Sequence, residues 1–254
     1  EPTTQQAAAG NAQNTASNDS SQTPPIDLNE LTKDLIGYAS ESGTGTGNRG
    51  SLGDGLSGAG TAGNGTGTGG NTTSTSFMGL RGSGSNFVYI LDRSASMDEF
   101  GGAPMRFAKS ELMKSVASLG DRNQFQIVFY NESPGSLSAG TTGGRLLIAN
   151  DINKEKASRF VKAIRPSGGT EHIPGLKLGL SFAPDVIFFL TDAAEPAVTE
   201  SQLLEIQSRA ERSMTTIHTV QFNRGPAPND GTWIRELAER NRGTYRYVDI
   251  SNLE

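Results

Sequence analysis

The 254 residues contain no cysteine. That absence excludes a disulfide framework, thiolate-ligated zinc and thiol catalysis. Histidine is nearly absent too, with two residues, so few pairings of a nucleophile with an imidazole base exist. No apolar run approaches the ~18 residues that a membrane-spanning helix needs. Neither sign of charge dominates. The 22 Lys and Arg stand against 27 Asp and Glu, for a net charge of −5. Aromatic residues make up 7% and hydrophobic residues 34%, which is low beside the roughly 45–50% apolar share of globular domains.

The shortage is local. Eighteen of the 32 glycines fall in the first 86 residues, 13 of them between Glu41 and Gly70. The same stretch holds 7 acids and 3 bases, which leaves 20 acids and 19 bases for the remainder. Two polymers of different character are joined end to end. The second is nearly neutral and offers no general attraction to nucleic acid or to an anionic membrane surface.

Residues 1–25 are mostly Ala, Asn, Gln, Ser and Thr, a composition too poor in apolar surface to offset chain entropy. Residues 26–39 (IDLNELTKDLIGYA) space Ile26, Leu28, Leu31, Leu35 and Ile36 roughly along one side of a short amphipathic helix. Residues 41–76 read as a flexible Gly-rich linker. Gly45-Thr46-Gly47-Asn48-Arg49-Gly50 matches the dinucleotide fingerprint by letter. It lacks the flanking strand and helix through which that motif works, so it is read as chance. Residues 1–76 are therefore expected to be disordered, and 77–254 to form the folded domain, with Phe77–Leu80 as a lead-in strand.

From Asn86 onward, strands and helices alternate. Phe87–Asp92, Gln124–Tyr130, Arg145–Ala149, Asp185–Thr191, Thr215–Phe222 and Thr244–Val248 read as strands. Met105–Leu119, Lys154–Ile164, Pro174–Phe182, Ser201–Arg212 and Trp233–Arg242 read as helices. Such alternation predicts an α/β fold, a doubly wound and mostly parallel sheet with helices on both faces.

In such a sheet, ligands sit beyond the carboxyl ends of the strands, where the strand order reverses. The first strand runs into Asp92-Arg93-Ser94-Ala95-Ser96, and the most apolar strand runs into Thr191-Asp192. Thr170 lies between them, in a loop that Gly168 and Gly169 are expected to make mobile. These are small oxygen donors. Asp92, Ser94, Ser96, Thr170 and Asp192 together suit a hard divalent cation, Mg²⁺ first, with Mn²⁺ or Ca²⁺ as alternatives. Neutral hydroxyl ligands would leave that ion electrophilic, and the carboxylates would balance charge through waters or hydrogen bonds. His172 is expected at the surface, as a residue starting a helix, and His218 is expected to be packed or partly exposed within a strand. Neither supplies an evident general base, so the chain is not expected to be an enzyme.

Residues 86–254 resemble a von Willebrand factor type A domain. The likeness rests on D-x-S-x-S at 92–96, Ser-Gly-Gly-Thr ending at Thr170, and FFLTD ending at Asp192. It implies a Rossmann-like sheet of order 3-2-1-4-5-6 with an antiparallel edge. The five residues Asp92, Ser94, Ser96, Thr170 and Asp192 match that family's metal-ion-dependent adhesion site. The resemblance implies a partner protein or peptide that presents Asp or Glu to the bound ion. A structural or self-assembly role for the metal is the alternative. FVYILDRSASM, FQIVFYN and DVIFFLTDAAEP further resemble bacterial members, of the planctomycete envelope type. Together with the linker and a first residue that is not Met, they suggest an extracytoplasmic protein anchored by a segment absent from this chain. Ala95 and Ala193 stand where glycine is frequent in the family.

Overall fold

The computed structural model describes residues 73–139, 144–192, 195–227 and 232–252. The expected disorder of residues 1–72 and the expected helix 26–39 lie outside these residues, as does Ala193, whereas residues 73–76, expected to be disordered, belong to a strand.

The described chain opens with a hairpin. β1 (Thr73–Phe77) and β2 (Leu80–Gly84) pair antiparallel through a turn at Met78 and Gly79. This corrects the single lead-in strand expected over Phe77–Leu80. The positive φ of both turn residues (49° and 76°) reverses the chain there. Thr75 is buried, and its hydroxyl meets the Ser115 and Ser118 hydroxyls at 3.0 and 2.9 Å.

β3 (Asn86–Asp92) is followed by a short 3₁₀ turn over Ala95–Asp98 and by α1 (Glu99–Ala117). α1 is interrupted near its start, where Phe100, Gly101 and Gly102 have φ of 55°, 66° and 77°. Regular helix resumes near the Met105 start that the apolar spacing predicts. β4 (Gln124–Tyr130) follows, then two short strands, β5 (Gly135–Ser136) and β6 (Leu147–Ile148). α2 (Asp151–Ala163), α3 (His172–Ser181), β7 (Val186–Thr191), α4 (Glu200–Ser213), β8 (Thr216–Asn223), α5 (Trp233–Arg240) and β9 (Tyr245–Asp249) complete the order. The α4 start carries a capping box, with Thr199 and Gln202 satisfying each other's backbone donors.

The main sheet runs β5-β4-β3-β7-β8-β9, with β6 also paired to β4. β4, β3, β7, β8 and β9 are parallel, while β5 and β6 run antiparallel to β4 at the edge. This is the doubly wound α/β architecture expected from the alternation, with its antiparallel edge split into two short strands.

Successive residues of a strand point to opposite faces, and both faces of this sheet are covered. Tyr89 and Leu91 join Phe77, Leu112, Val116, Phe129 and Phe188 on the face under α1, α2 and the hairpin. Val88 and Ile90 join Leu176, Phe189, Leu203, Ile206, Ile234 and Leu237 on the face under α3, α4 and α5. Double-sided burial explains why β3 and β7 are unbroken apolar runs. Tyr89 stacks on Phe188 and meets Phe77 edge-on, which seats the hairpin on the first core.

Candidate functional site

β3 and β7 lie side by side and parallel, with Leu91 opposite Leu190. The chain leaves β3 towards β4 on one flank and returns to β7 on the other, so the order reverses between them. A crevice at that switch point is the ligand position of an open α/β sheet. Asp92 ends β3 there, and Asp192 follows the last residue of β7.

Asp92 is fully buried. Its Oδ1 accepts the Ser94 backbone N–H at 2.8 Å, which folds the chain back immediately after the strand. Its Oδ2 accepts the Thr191 hydroxyl at 2.8 Å and lies 3.4 Å from the Tyr130 hydroxyl. Burial raises the Asp92 carboxyl above its usual range, against the pull of these donors. The Ser94 and Ser96 hydroxyls are 3.0 Å apart. Burial, and then the charge of Asp92, push Asp192 up to about 6, while the Ser96 hydroxyl draws it down. Asp192 Oδ1 is buried and has no hydrogen-bond partner among the described residues. Four of the five expected positions, Asp92, Ser94, Ser96 and Asp192, are thus brought together.

Thr170 is the fifth. It is half-buried. Its loop is held against the Asp92 turn. Ala95 N–H donates to Gly168 O at 3.0 Å, and Ser167 N–H to Arg93 O at 2.8 Å. Glu171 N–H reaches Asn131 O at 2.9 Å, and Gly169 N–H reaches Glu132 Oε1 at 3.1 Å. Arg93 adds bonds to Ser167 Oγ and Asn131 Oδ1. Backbone hydrogen bonds thus tie, on both sides, the segment expected to be mobile. Gly168 serves geometry. Its φ is +75°, and a Cβ there would come within 2.9 Å of Asn131 Nδ2. Ala95 is not among the residues with positive φ, so an alanine there causes no backbone strain.

Two further residues belong to the site and were not singled out for it by the sequence. Tyr130 ends β4 opposite Asp92. Its buried hydroxyl lies 3.0 Å from His172 Nδ1. Burial, with Asp92 nearby, holds the Tyr130 phenol well above its ordinary value, so it stays protonated. His172 is 2% exposed, which corrects its expected surface placement. Its ring packs at 4.7 Å from Trp233 and edge-on to Phe189, because the first turn of α3 lies over the second core. Burial pushes the imidazole down to about 4, against a smaller upward pull from the Glu195 backbone. His218 is packed as expected, stacked on Phe188 and accepting Thr244 N–H at Nδ1. Glu195 is exposed, and its carboxylate accepts Ala197 N–H.

Among the described residues, no group of three or more His, Asp or Glu side chains gathers as a metal cluster. The donors here are of another kind: two close carboxylates, one with an unsatisfied buried oxygen, and serine hydroxyls between them. All are hard oxygens, and the carboxylates are costly to ionise without a counter-charge. That set fits a hard divalent cation with neutral hydroxyl ligands.

An open, doubly wound sheet with oxygen donors gathered at its switch point is the layout in which α/β domains place their ligands. A sequence profile of the von Willebrand factor type A domain matches residues 85–247, and the chain belongs to that family. Among solved structures, it resembles the von Willebrand factor type A protein from Catenulispora acidiphila, at 23% identity and a TM-score of 0.57. That match covers 68% of this chain and 41% of the other. Proximal thread matrix protein 1 from the mussel byssus matches at 15% identity and a TM-score of 0.51, over 66% of this chain and 42% of the other. Both likenesses concern the fold, and this chain spans about two-fifths of either structure's length. A search of curated proteins finds no match.

Proposed function

We propose that the domain is a divalent-cation-dependent protein-binding module. In this reading Asp92, Ser94, Ser96, Thr170 and Asp192 hold one Mg²⁺-type ion, directly or through its waters. The observation that carries it is the buried, unpartnered Asp192 Oδ1 beside the buried carboxylate of Asp92. Two close, desolvated carboxylates repel each other, and a cation relieves both. When bound, the ion supplies an electrophilic point for an incoming oxygen. The protein's part is to hold the serine hydroxyls 3.0 Å apart and to tie the Thr170 loop to the same turn.

The ligand that suits such a site is the carboxylate of an Asp or Glu on a partner protein or peptide. One charge contact gives little specificity, so affinity would come mostly from the surrounding loops. Catalysis is not part of the proposal. His172, the imidazole nearest the cluster, is buried and engaged with Tyr130 rather than free to act as a general base. An extracytoplasmic, envelope-anchored setting belongs to the same proposal. It is supported by the Gly-rich stretch of 41–76 and by the family's frequent role in protein interactions. Among the described residues, no helix is long and apolar enough to cross a membrane.

The test is capture of partners from an envelope extract in EDTA and again with Mg²⁺. The proposal expects a partner that is retained with Mg²⁺, released by EDTA, and lost when one of its acidic residues becomes the amide. Equal capture in EDTA through the same face would overturn it.

A further inference from the structure

Phe100 stands apart from the other phenylalanines. It is 45% exposed, whereas every other phenylalanine is buried or half-buried. Its backbone is left-handed, and Gly101 and Gly102 continue the same turn. Glycine adopts that conformation freely, but a residue with a Cβ does so at a cost. Backbone strain of this kind collects at functional segments. The turn is held from within, where the Arg106 guanidinium donates to Gly101 O. The Phe100 ring ends against the guanidinium of Arg224, whose Cζ lies over it at 3.6 Å from the centroid.

Arg224 follows the last residue of β8. Thr191 of β7 stands opposite Gln221 of β8, so Asp192 is level with Phe222, and Arg224 comes two residues later on the adjacent strand. Strand spacing and rise put the Arg224 backbone about 5 Å to the side of Asp192 and about 7 Å further out. Glu99, on the Phe100 turn, is close enough for its charge to act on Asp192. The stacked pair therefore borders Asp192. Other arginines of these loops are spent, Arg93 on Ser167 and Asn131, Arg106 on Gly101. Among the described residues, the Arg224 guanidinium makes no hydrogen bond or ion pair. Asp249 interacts with it by charge, but Asp249 Oδ1 accepts the Gly225 and Ser251 N–H groups. Stacking holds a guanidinium by its face and leaves its N–H edge free. Such a fork binds a carboxylate through two parallel hydrogen bonds.

We infer that Arg224, held by Phe100, is a second anion contact of the binding face, and that the partner presents two acidic side chains, one to the cation and one to Arg224. The inference rests on the cation reading above and deepens it. The distance between the two points sets the spacing of the acids. An extended peptide advances ~3.3 Å per residue, so the second acid falls within about three residues of the first. Asp98 and Glu99, exposed on the Phe100 turn, repel a carboxylate placed elsewhere on that loop.

The experiment selects from a random peptide library displayed on phage, with the full chain immobilised in Mg²⁺ and bound phage released by EDTA. Wild type should enrich peptides that carry two Asp or Glu residues at one short spacing. A synthetic peptide of that sequence is then titrated by calorimetry, with each acid changed in turn to its amide. The acid on the cation is the one whose amide abolishes binding. Loss of the other should weaken binding about tenfold or more on wild type, the weight of a charge-assisted hydrogen bond, and should cost nothing on Arg224→Gln. Arg224→Lys keeps the charge without the flat fork and should restore only part of the affinity. Phe100→Leu removes the stacking surface and should also weaken the two-acid peptide. Mg²⁺ affinity should be the same in all three variants, which leave the five site residues intact. Released peptides that share a single acid would overturn the inference and leave the cation site standing. So would a second acid whose loss costs as much on Arg224→Gln as on wild type. A library that yields no EDTA-released peptide would sink both readings.

Discussion

Replacing Asp192 by Asn should have opposite effects on stability and on binding. Burial and Asp92 raise the Asp192 carboxyl from 3.8 to about 6. A carboxyl raised in the folded state is easier to ionise in the unfolded chain. The folded, cation-free protein therefore loses stability as pH rises from near 3.8 through 6. A shift of roughly two units corresponds to at most about 3 kcal/mol above pH 7. Asp192→Asn removes that charge and keeps the shape. In EDTA at pH 7.5 the variant should melt higher than wild type by up to ~6–12 °C, at ~2–4 °C per kcal/mol for a domain of this size. With Mg²⁺ the order should reverse, because ligand binding stabilises only the chain that binds it. Thermal unfolding by circular dichroism, with and without the cation, reads both effects. A variant less stable than wild type in EDTA, or one whose melting still rises with Mg²⁺, would refute the argument that these carboxylates are held together for a cation.

Further outcomes follow from other parts of the molecule. Thr170→Ala should weaken partner capture more than it weakens Mg²⁺ affinity, because Thr170 stands on a separate loop from the other four residues; calorimetry and capture measured on one preparation decide this. A chain that begins at residue 73 should melt like the full chain. One that begins at residue 85 should lose several kcal/mol, because Phe77 and Leu80 leave a buried cluster. Burial lowers the His218 imidazole, so its contribution is full above the unfolded value near 6.5 and is lost as pH falls below it. The stability of wild type relative to His218→Gln should accordingly shrink between pH 7.5 and 5.5 in EDTA, as read by denaturant unfolding.

Much of the fold was legible because its strands are covered on both faces. FVYILD and VIFFLT are continuous apolar runs, and only a central parallel strand needs such a run. The edge was harder to read. β5 is two residues, Gly135-Ser136, with no periodicity to detect, and β6 spans only Leu147–Ile148 of the expected Arg145–Ala149. The hairpin turn at Met78-Gly79 lay in a stretch where glycine was already abundant, which hid its signal. At the site, Asp92, Ser94, Ser96 and Asp192 were legible from where they follow their strands. The hydrogen bonds that tie the Thr170 loop were not legible, because composition reports the freedom of a glycine and not the bonds its neighbours make. His172 was misjudged because a residue starting a helix is usually near solvent, whereas here that first turn packs beside Phe189 and Trp233. Tyr130 had no signal beyond closing an apolar strand, since nothing in FQIVFY says which hydroxyl will meet Asp92.

The central claim is that the Asp92–Asp192 cluster holds a divalent cation through its serine hydroxyls. Its most direct test is calorimetric titration of the EDTA-stripped chain with Mg²⁺ and Mn²⁺, beside a Ser94→Ala/Ser96→Ala variant that keeps both carboxylates. The account predicts one saturable site in wild type and its loss in the variant, with the fold retained by circular dichroism. Absence of binding in wild type, or equal affinity in the variant, would contradict it.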